Sequence, residues 1–176
     1  NRLDAFAWLP MLCLGMANTT FVGQNLGAGK LDRVKKGVNI GILIAMAGTL
    51  IIVVPLMCFS DTMLKLFNSD PEVLRYGRMF VLYMSPFYIP YCATQIYSGA
   101  LRGAGDSLSP MIVTIASFVV FRQLYLLIGT QFISSPLFVG LSYPAGWIVS
   151  TAALFIIYRS GRWERKLPAH VRMQAA

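Results

Sequence analysis

The chain has 176 residues, of which 56% are hydrophobic and 12% charged, with a mean hydropathy of +0.62. Soluble domains carry about 25% charged residues, so this composition leaves too little polar surface for a water-facing globule and points to lipid as the surrounding solvent. The formal net charge of +8 comes from 15 Lys and Arg against 7 Asp and Glu, but the cations fall in short breaks between apolar runs and in the tail, a membrane-protein pattern and not a nucleic-acid-binding face.

Crossing a hydrocarbon core takes about 20 apolar residues in a helix. The uncharged stretch Ala5–Gly29 has 25 residues, Gly37–Ser60 has 24 and Met79–Leu101 has 23. A further uncharged run, 123–158, is too long for one span and divides near Ser134, Ser135 and Pro136, which mark a turn. The sequence therefore predicts an all-α, polytopic bundle of about five transmembrane helices, near 5–26, 37–59, 78–101, 108–130 and 138–159, followed by a tail over 160–176. The segment Asp61–Asn68 mixes apolar and polar residues and predicts a short interfacial helix, with Pro71 opening the next element.

The loops orient the bundle. Lys30, Arg33, Lys35 and Lys36 follow the first helix, and Arg159, Arg162, Arg165 and Lys166 follow the last. In a five-span arrangement both clusters fall on one face, which the positive-inside bias makes cytoplasmic, with the N-terminus outside. The chain begins at Asn1 and not Met, and its first apolar run is too long for a signal-peptide core, so the natural N-terminus is expected upstream. Cys13, Cys58 and Cys92 lie apart within apolar runs and are read as packing residues.

Two segments share a pattern: Gly23-Gln24-Asn25-Leu26-Gly27-Ala28-Gly29-Lys30 closes the first helix, and Gly99-Ala100-Leu101-Arg102-Gly103-Ala104-Gly105-Asp106 closes the third. Small residues four apart share one helix face and let backbones approach closely, and the Gly-Ala-Gly end permits a sharp exit. The first segment is not a phosphate-binding loop, since Gln24 and Leu31 stand where that motif needs Gly and Ser or Thr. Pro86 and Pro90 break the third helix and predict a kink, either at a cavity or moving interface or simply to suit packing. On that helix Tyr88, Tyr91 and Gln95 share a face and are candidates to line a cavity, the other reading being interhelical packing. Arg122 is the one charge clearly inside a span; it is read as an anchor for backbone carbonyls or for a carboxylate elsewhere, with snorkelling as the alternative. Asn18 and Gln24 are expected to bridge helices, Trp8, Trp147 and Trp163 to pack or form a belt, and His170 to be solvated.

These segments, taken in order, resemble the multidrug and toxic compound extrusion (MATE) transporters. Val22–Lys30 is similar to the signature closing the family's eighth helix, and Gly99–Asp106 to the close of its tenth. Leu66-Phe67 with Asp70–Val73, Phe121-Arg122, and Tyr143-Pro144 with Trp147 and Tyr158–Trp163 resemble later family segments. The resemblance implies a two-lobe, twelve-helix fold of which this chain is helices eight to twelve. It also implies secondary active export of small, cationic organic substrates or drugs by antiport with H+ or Na+ across a plasma membrane, that of a bacterium by the look of the tail. The implied partners are membrane lipid, those substrates and a missing N-terminal lobe, with no bound cofactor, no metal, no nucleic acid and no enzymatic activity. The third helix lacks the carboxylate that some family members carry there, so a coupling acid is expected outside this chain. A flippase-type exporter of the same superfamily and a non-transporting membrane scaffold are the alternatives, and the isolated piece is expected to be inactive because alternating access needs both lobes.

Overall fold

The computed structural model describes residues 2–65, 70–129, 131, 136–165 and 167. Among them there is no strand; the chain is a bundle of helices. In chain order these are α1 (Arg2–Gly27), α2 (Leu31–Cys58), α3 (Ser60–Lys65), α4 (Pro71–Met84), a single 3₁₀ turn (Ser85–Phe87) and α5 (Tyr88–Gly103). Then come α6 (Leu108–Ile115), a π-helical stretch (Ala116–Phe121), α7 (Arg122–Gly129), α8 (Pro136–Arg159) and the short α9 (Arg162–Arg165). Leu66-Phe67, the end of the predicted interfacial segment at Asn68, the Ser134-Ser135 turn, Lys166 and His170 lie outside the described residues.

Among the described residues three stretches are long and apolar enough to cross a membrane: Leu31–Cys58, Leu108–Gly129 and Leu137–Arg159. The predicted spans 5–26 and 78–101 correspond to α1 and to the path from α4 through the 3₁₀ turn into α5. That path is broken because Pro86, inside the turn, and Pro90, in the first turn of α5, each lack an amide hydrogen for the helical ladder. Leu43, Ile51, Leu108, Ile112, Leu127 and Ile156 all stand more than half exposed. In water such a surface would be an aggregation hazard; it suits a membrane environment.

Helix α5 is the centre of the bundle. From Tyr91 to Leu101 most of its residues are buried, whereas α1 buries a single face through Met11, Asn18, Val22 and Leu26. These α1 positions recur at spacings of seven and four, so only one stripe faces the core. Helices α1, α2 and α8 all pack directly on α5.

Among the described glycines the closest approach to another helix's backbone is between α1 and α5. A methyl group on Gly99 would overlap the carbonyl oxygen of Gly15, and one on Gly103 would come within 2.5 Å of the Thr19 carbonyl oxygen. Gly15 in turn would place a methyl 3.0 Å from the Gln95 carbonyl oxygen, and Gly23 one 3.5 Å from that of Gly103. Gly15, Thr19 and Gly23 on α1 thus face Gln95, Gly99 and Gly103 on α5, each series stepping by four residues along one face. Lipid tails are as apolar as leucine, so helices associate in a membrane through such close packing and through polar bridges. Asn18 supplies a bridge: its amide donates to the Ile96 carbonyl at 2.8 Å, in a buried position at the α1–α5 seam.

Both glycine motifs then end in the same way. Lys30 N–H donates to the Asn25 carbonyl and Gly29 N–H to that of Leu26; Asp106 N–H and Gly105 N–H repeat this with Leu101 and Arg102. These are the paired bonds of a Schellman close, which needs a left-handed residue, supplied by Gly29 at φ 70° and Gly105 at φ 83°.

Gly99→Ala is expected to destabilise the folded protein by about 1–3 kcal/mol, through overpacking against the α1 backbone. Gly27→Ala, at a helical position with nothing within 4 Å of the new methyl, is expected to be neutral or stabilising by up to ~1 kcal/mol. Thermal unfolding of the two variants in detergent compares them directly.

Candidate functional site

The face of α5 that carries Tyr88 and Tyr91 meets Trp147 of α8. The Trp147 ring centroid lies 5.6 Å from Tyr88 and 5.4 Å from Tyr91, and Trp8 of α1 approaches Tyr91 from the other side at 5.8 Å. All three pairs are tilted, an arrangement that lets positive ring edges meet negative faces, worth about 0.5–1.5 kcal/mol per pair beyond burial. Tyr88, Tyr91 and Trp147 are buried, at 2%, 7% and 5% exposure. The structure therefore brings the two tyrosines together in a shared aromatic cluster between α5 and α8. Gln95 is half-buried beside Gly15 of α1.

Polar contacts reinforce this interface. The Thr151 hydroxyl of α8 lies 2.6 Å from the Pro90 carbonyl, 2.8 Å from the Trp147 carbonyl and 2.8 Å from the Thr94 hydroxyl. One hydroxyl has one proton, so Thr94 donates to Thr151, which donates to one of the two carbonyls. In this way α8 is tied to the backbone of α5 beside the proline break through polar contacts between helices.

Arg122 is placed where α7 begins, directly after the π-helical stretch. Its guanidinium carbon stands 3.7 Å from the Tyr143 ring centroid, a close cation–π contact, and its Nε lies 3.4 Å from the Ser142 hydroxyl. Ser142 donates that hydroxyl's own proton to the Val139 carbonyl at 2.7 Å. The partners of Arg122 among the described residues are thus an aromatic face and a hydroxyl on α8, not a backbone carbonyl or a carboxylate. Tyr143 also stands 6.5 Å from Trp147, so one aromatic chain runs from Arg122 through Tyr143, Trp147 and Tyr91 to Trp8. Where the π-helical turn widens, Gly146 lets α8 close in: a methyl there would lie 3.2 Å from the Ser117 carbonyl oxygen.

The glycine candidates divide by role. Gly99, Gly103 and Gly23 lie on the α1–α5 seam, Gly29 and Gly105 close helices, and Gly27 touches nothing that a methyl would disturb. Pro86 and Pro90 form the break between α4 and α5. Asn18 bridges α1 to α5, whereas Gln24 is exposed. Trp163 is fully buried and donates its indole N–H to the Tyr158 carbonyl at 3.0 Å. Gly15 and Thr151 carry weight that no sequence motif marked, and Tyr143 was marked only by the family resemblance; the spacing Gly15-x-x-x-Thr19-x-x-x-Gly23 was the available signal for the first of them. Among the described residues no group of three His, Cys, Asp or Glu side chains is arranged to hold a metal ion.

Arg122→Gln and Tyr143→Leu are expected to be non-additive. The double mutant should lose less stability than the sum of the singles, by about 0.5–2 kcal/mol, the coupling of a cation–π pair. A thermal or denaturant double-mutant cycle measures this directly.

Comparison with known proteins places this architecture. The chain is 28% identical over 164 residues to a probable multidrug resistance protein, YpnP, of Bacillus subtilis (strain 168), covering 93% of this chain and 37% of that protein. It is 22% identical over 166 residues to a probable multidrug resistance protein, NorM, of Thermotoga maritima, covering 94% and 36%. It is 24% identical over 120 residues to an FAD transporter of Shewanella oneidensis, covering 68% and 26%. The chain spans little more than a third of the length of the first two relatives. The MatE family model matches residues 1–127, and with apolar helices packed around a glycine seam, the chain is a multi-pass membrane protein that belongs to the MatE family.

Proposed function

We propose that the full-length protein carrying this chain is a secondary active multidrug efflux transporter, exporting organic cations or drugs in exchange for protons or sodium ions. The observation that carries this reading is membership of the MatE family over most of the chain. The relatives named as multidrug resistance proteins support the substrate class. In such a transporter two lobes rock around a central site. The α1–α5 seam and the Trp147 cluster are the rigid part of one lobe, and the proline break and the π-helical stretch are where it bends. Within α5 no Asp or Glu is present, so the coupling acid belongs to another part of the full-length protein. Tyr88 and Tyr91 shape the cavity wall from behind, and Gln95 is the member of that face nearest to substrate. The end of the bundle that carries both basic clusters faces the cytoplasm, following the positive-inside bias.

A second reading has a specific basis. One relative is named an FAD transporter, and FAD is an anion. The only charge within the 108–129 span is Arg122, which repels a cation and attracts an anion. The substrate class therefore separates the two readings.

The test is accumulation of ethidium and of FAD in cells lacking other exporters. The full-length protein is expected to lower intracellular ethidium, Gln95→Ala to weaken that export, and the 176 residues alone to export nothing. Export of FAD with no effect on ethidium would establish the second reading. Export by the isolated 176 residues would contradict the two-lobe mechanism.

A further inference from the structure

The end of the bundle where α2 starts and α8 finishes holds a second feature, apart from the aromatic cluster at Trp147. The Lys35 ammonium of α2 pairs with the Glu164 carboxylate of α9 at 2.9 Å. This ion pair brings the loop after α1 and the end of α8 to the same end of the bundle, so the two basic clusters of the sequence meet there. Between them lies a cavity of about 200 Å³. Its walls come from α2, α8 and the tail, and Tyr97 of α5 forms part of its lining.

The lining is chemically one-sided. Lys35 and Arg159 are cations, Asn39 offers an amide, and Glu164 is the one acid. Glu164 is held by Lys35, and Arg159 has no carboxylate partner among the described residues; its guanidinium carbon stands 5.7 Å from the Phe155 ring centroid. The Tyr158 hydroxyl is buried with no hydrogen-bond partner among the described residues. The Tyr158 ring itself is fixed, stacked on Trp163 at 5.5 Å and 11° and tilted against Tyr97 at 5.4 Å. A net positive lining repels an organic cation despite its aromatic rings. The cationic and amide donors of Lys35, Arg159 and Asn39 suit a small anion with several acceptor oxygens. The volume is below the range of about 300–1,000 Å³ typical of drug-sized ligands, and fits a phosphate group.

The surroundings decide what the phosphate is attached to. Lys35, Asn39 and Leu43 follow at i, i+4 and i+8, on one face of α2. Leu43 is 66% exposed and lies about 12 Å further into the apolar zone than Lys35, at 1.5 Å per residue. On α8 the exposed Arg159 and Phe155 are followed inward by Ala152 and Ile148, also exposed and at helical spacing. Polar donors at the helix ends thus continue into apolar, lipid-facing walls. We propose that this cavity binds the phosphate of an anionic phospholipid, with Arg159, Lys35 and Asn39 on the headgroup and Leu43, Phe155 and Ile148 along its acyl chain. Basic pockets at helix ends capture anionic headgroups in this manner, and aromatic residues favour the same depth.

Native mass spectrometry of the full-length protein, supplied with equal phosphatidylglycerol and phosphatidylcholine, tests this. Preferential retention of phosphatidylglycerol is expected, with Arg159→Gln lowering it about fivefold, the effect of one basic residue near an anionic lipid. Arg159→Lys should keep most of it, and Asn39→Leu, on the opposite wall, should lower it in a protein that remains monodisperse. Equal retention of both lipids, or retention indifferent to both walls, would overturn the proposal. Inorganic phosphate displacing the lipid at equal concentration would assign the site to a free anion instead, and so overturn the lipid source. Failure of Phe155→Cys to react with a thiol reagent in lipid-free detergent would show that a protein segment covers the groove, and would also overturn it.

Discussion

The close approach of α1 to α5 is the constraint on which the rest of the bundle depends. Hydrophobic burial does not drive helices together in lipid, so the contact must come from atoms that fit and polar groups that pair. Gly15, Gly99 and Gly103 bring two backbones to a separation that no side chain would allow. Asn18 then spends its amide on the Ile96 carbonyl inside the seam. With α1 locked on one side of α5, the opposite side is free to receive α8 through Trp147 and Thr151.

The two sides of α5 are held by different physics. The α1 side is small residues and backbone; the α8 side is large aromatic rings around a proline break. Pro90 gives up a helical amide, and the Thr151 hydroxyl, close to its carbonyl, ties α8 to α5 at that point. Across α8 the aromatic chain continues to Arg122, which follows the widened π-helical turn. A π-helical insertion is common at functional sites and shifts the register of everything after it. Here it coincides with Gly146, where α8 closes against Ser117. Under the proposed transport function, a close-packed seam and a flank with two helix irregularities would suit a lobe that rocks.

Helicity, the glycine motifs and their terminal closes were legible in the sequence because each rests on local spacing. Gly29 and Gly105 take the left-handed conformation their Gly-Ala-Gly endings imply. What spacing does not contain is the identity of the partner. The repeated G-x-x-x-G marked a close helix contact, but that Gly99 meets Gly15, outside the motif, follows only from how α1 and α5 cross. Tyr88, Tyr91 and Gln95 share a face by periodicity, yet periodicity is silent on what covers it, and Trp147 lies more than 50 residues on. Arg122 stood out as an intramembrane charge; its partners on α8 are reached only after the chain turns back. The same applies to Lys35 and Glu164, 129 residues apart in sequence and 2.9 Å apart in space.

The measurement that tests the central claim most directly is a carbon–carbon correlation by solid-state NMR on the glycine-labelled, full-length protein in lipid. The account predicts a cross-peak between the Gly15 carbonyl carbon and the Gly99 α-carbon, since a Cα–H against a carbonyl oxygen across helices holds the two carbons within about 5 Å. Its absence, with glycine cross-peaks of similar range inside each helix still visible, would contradict the seam and the arrangement built on it.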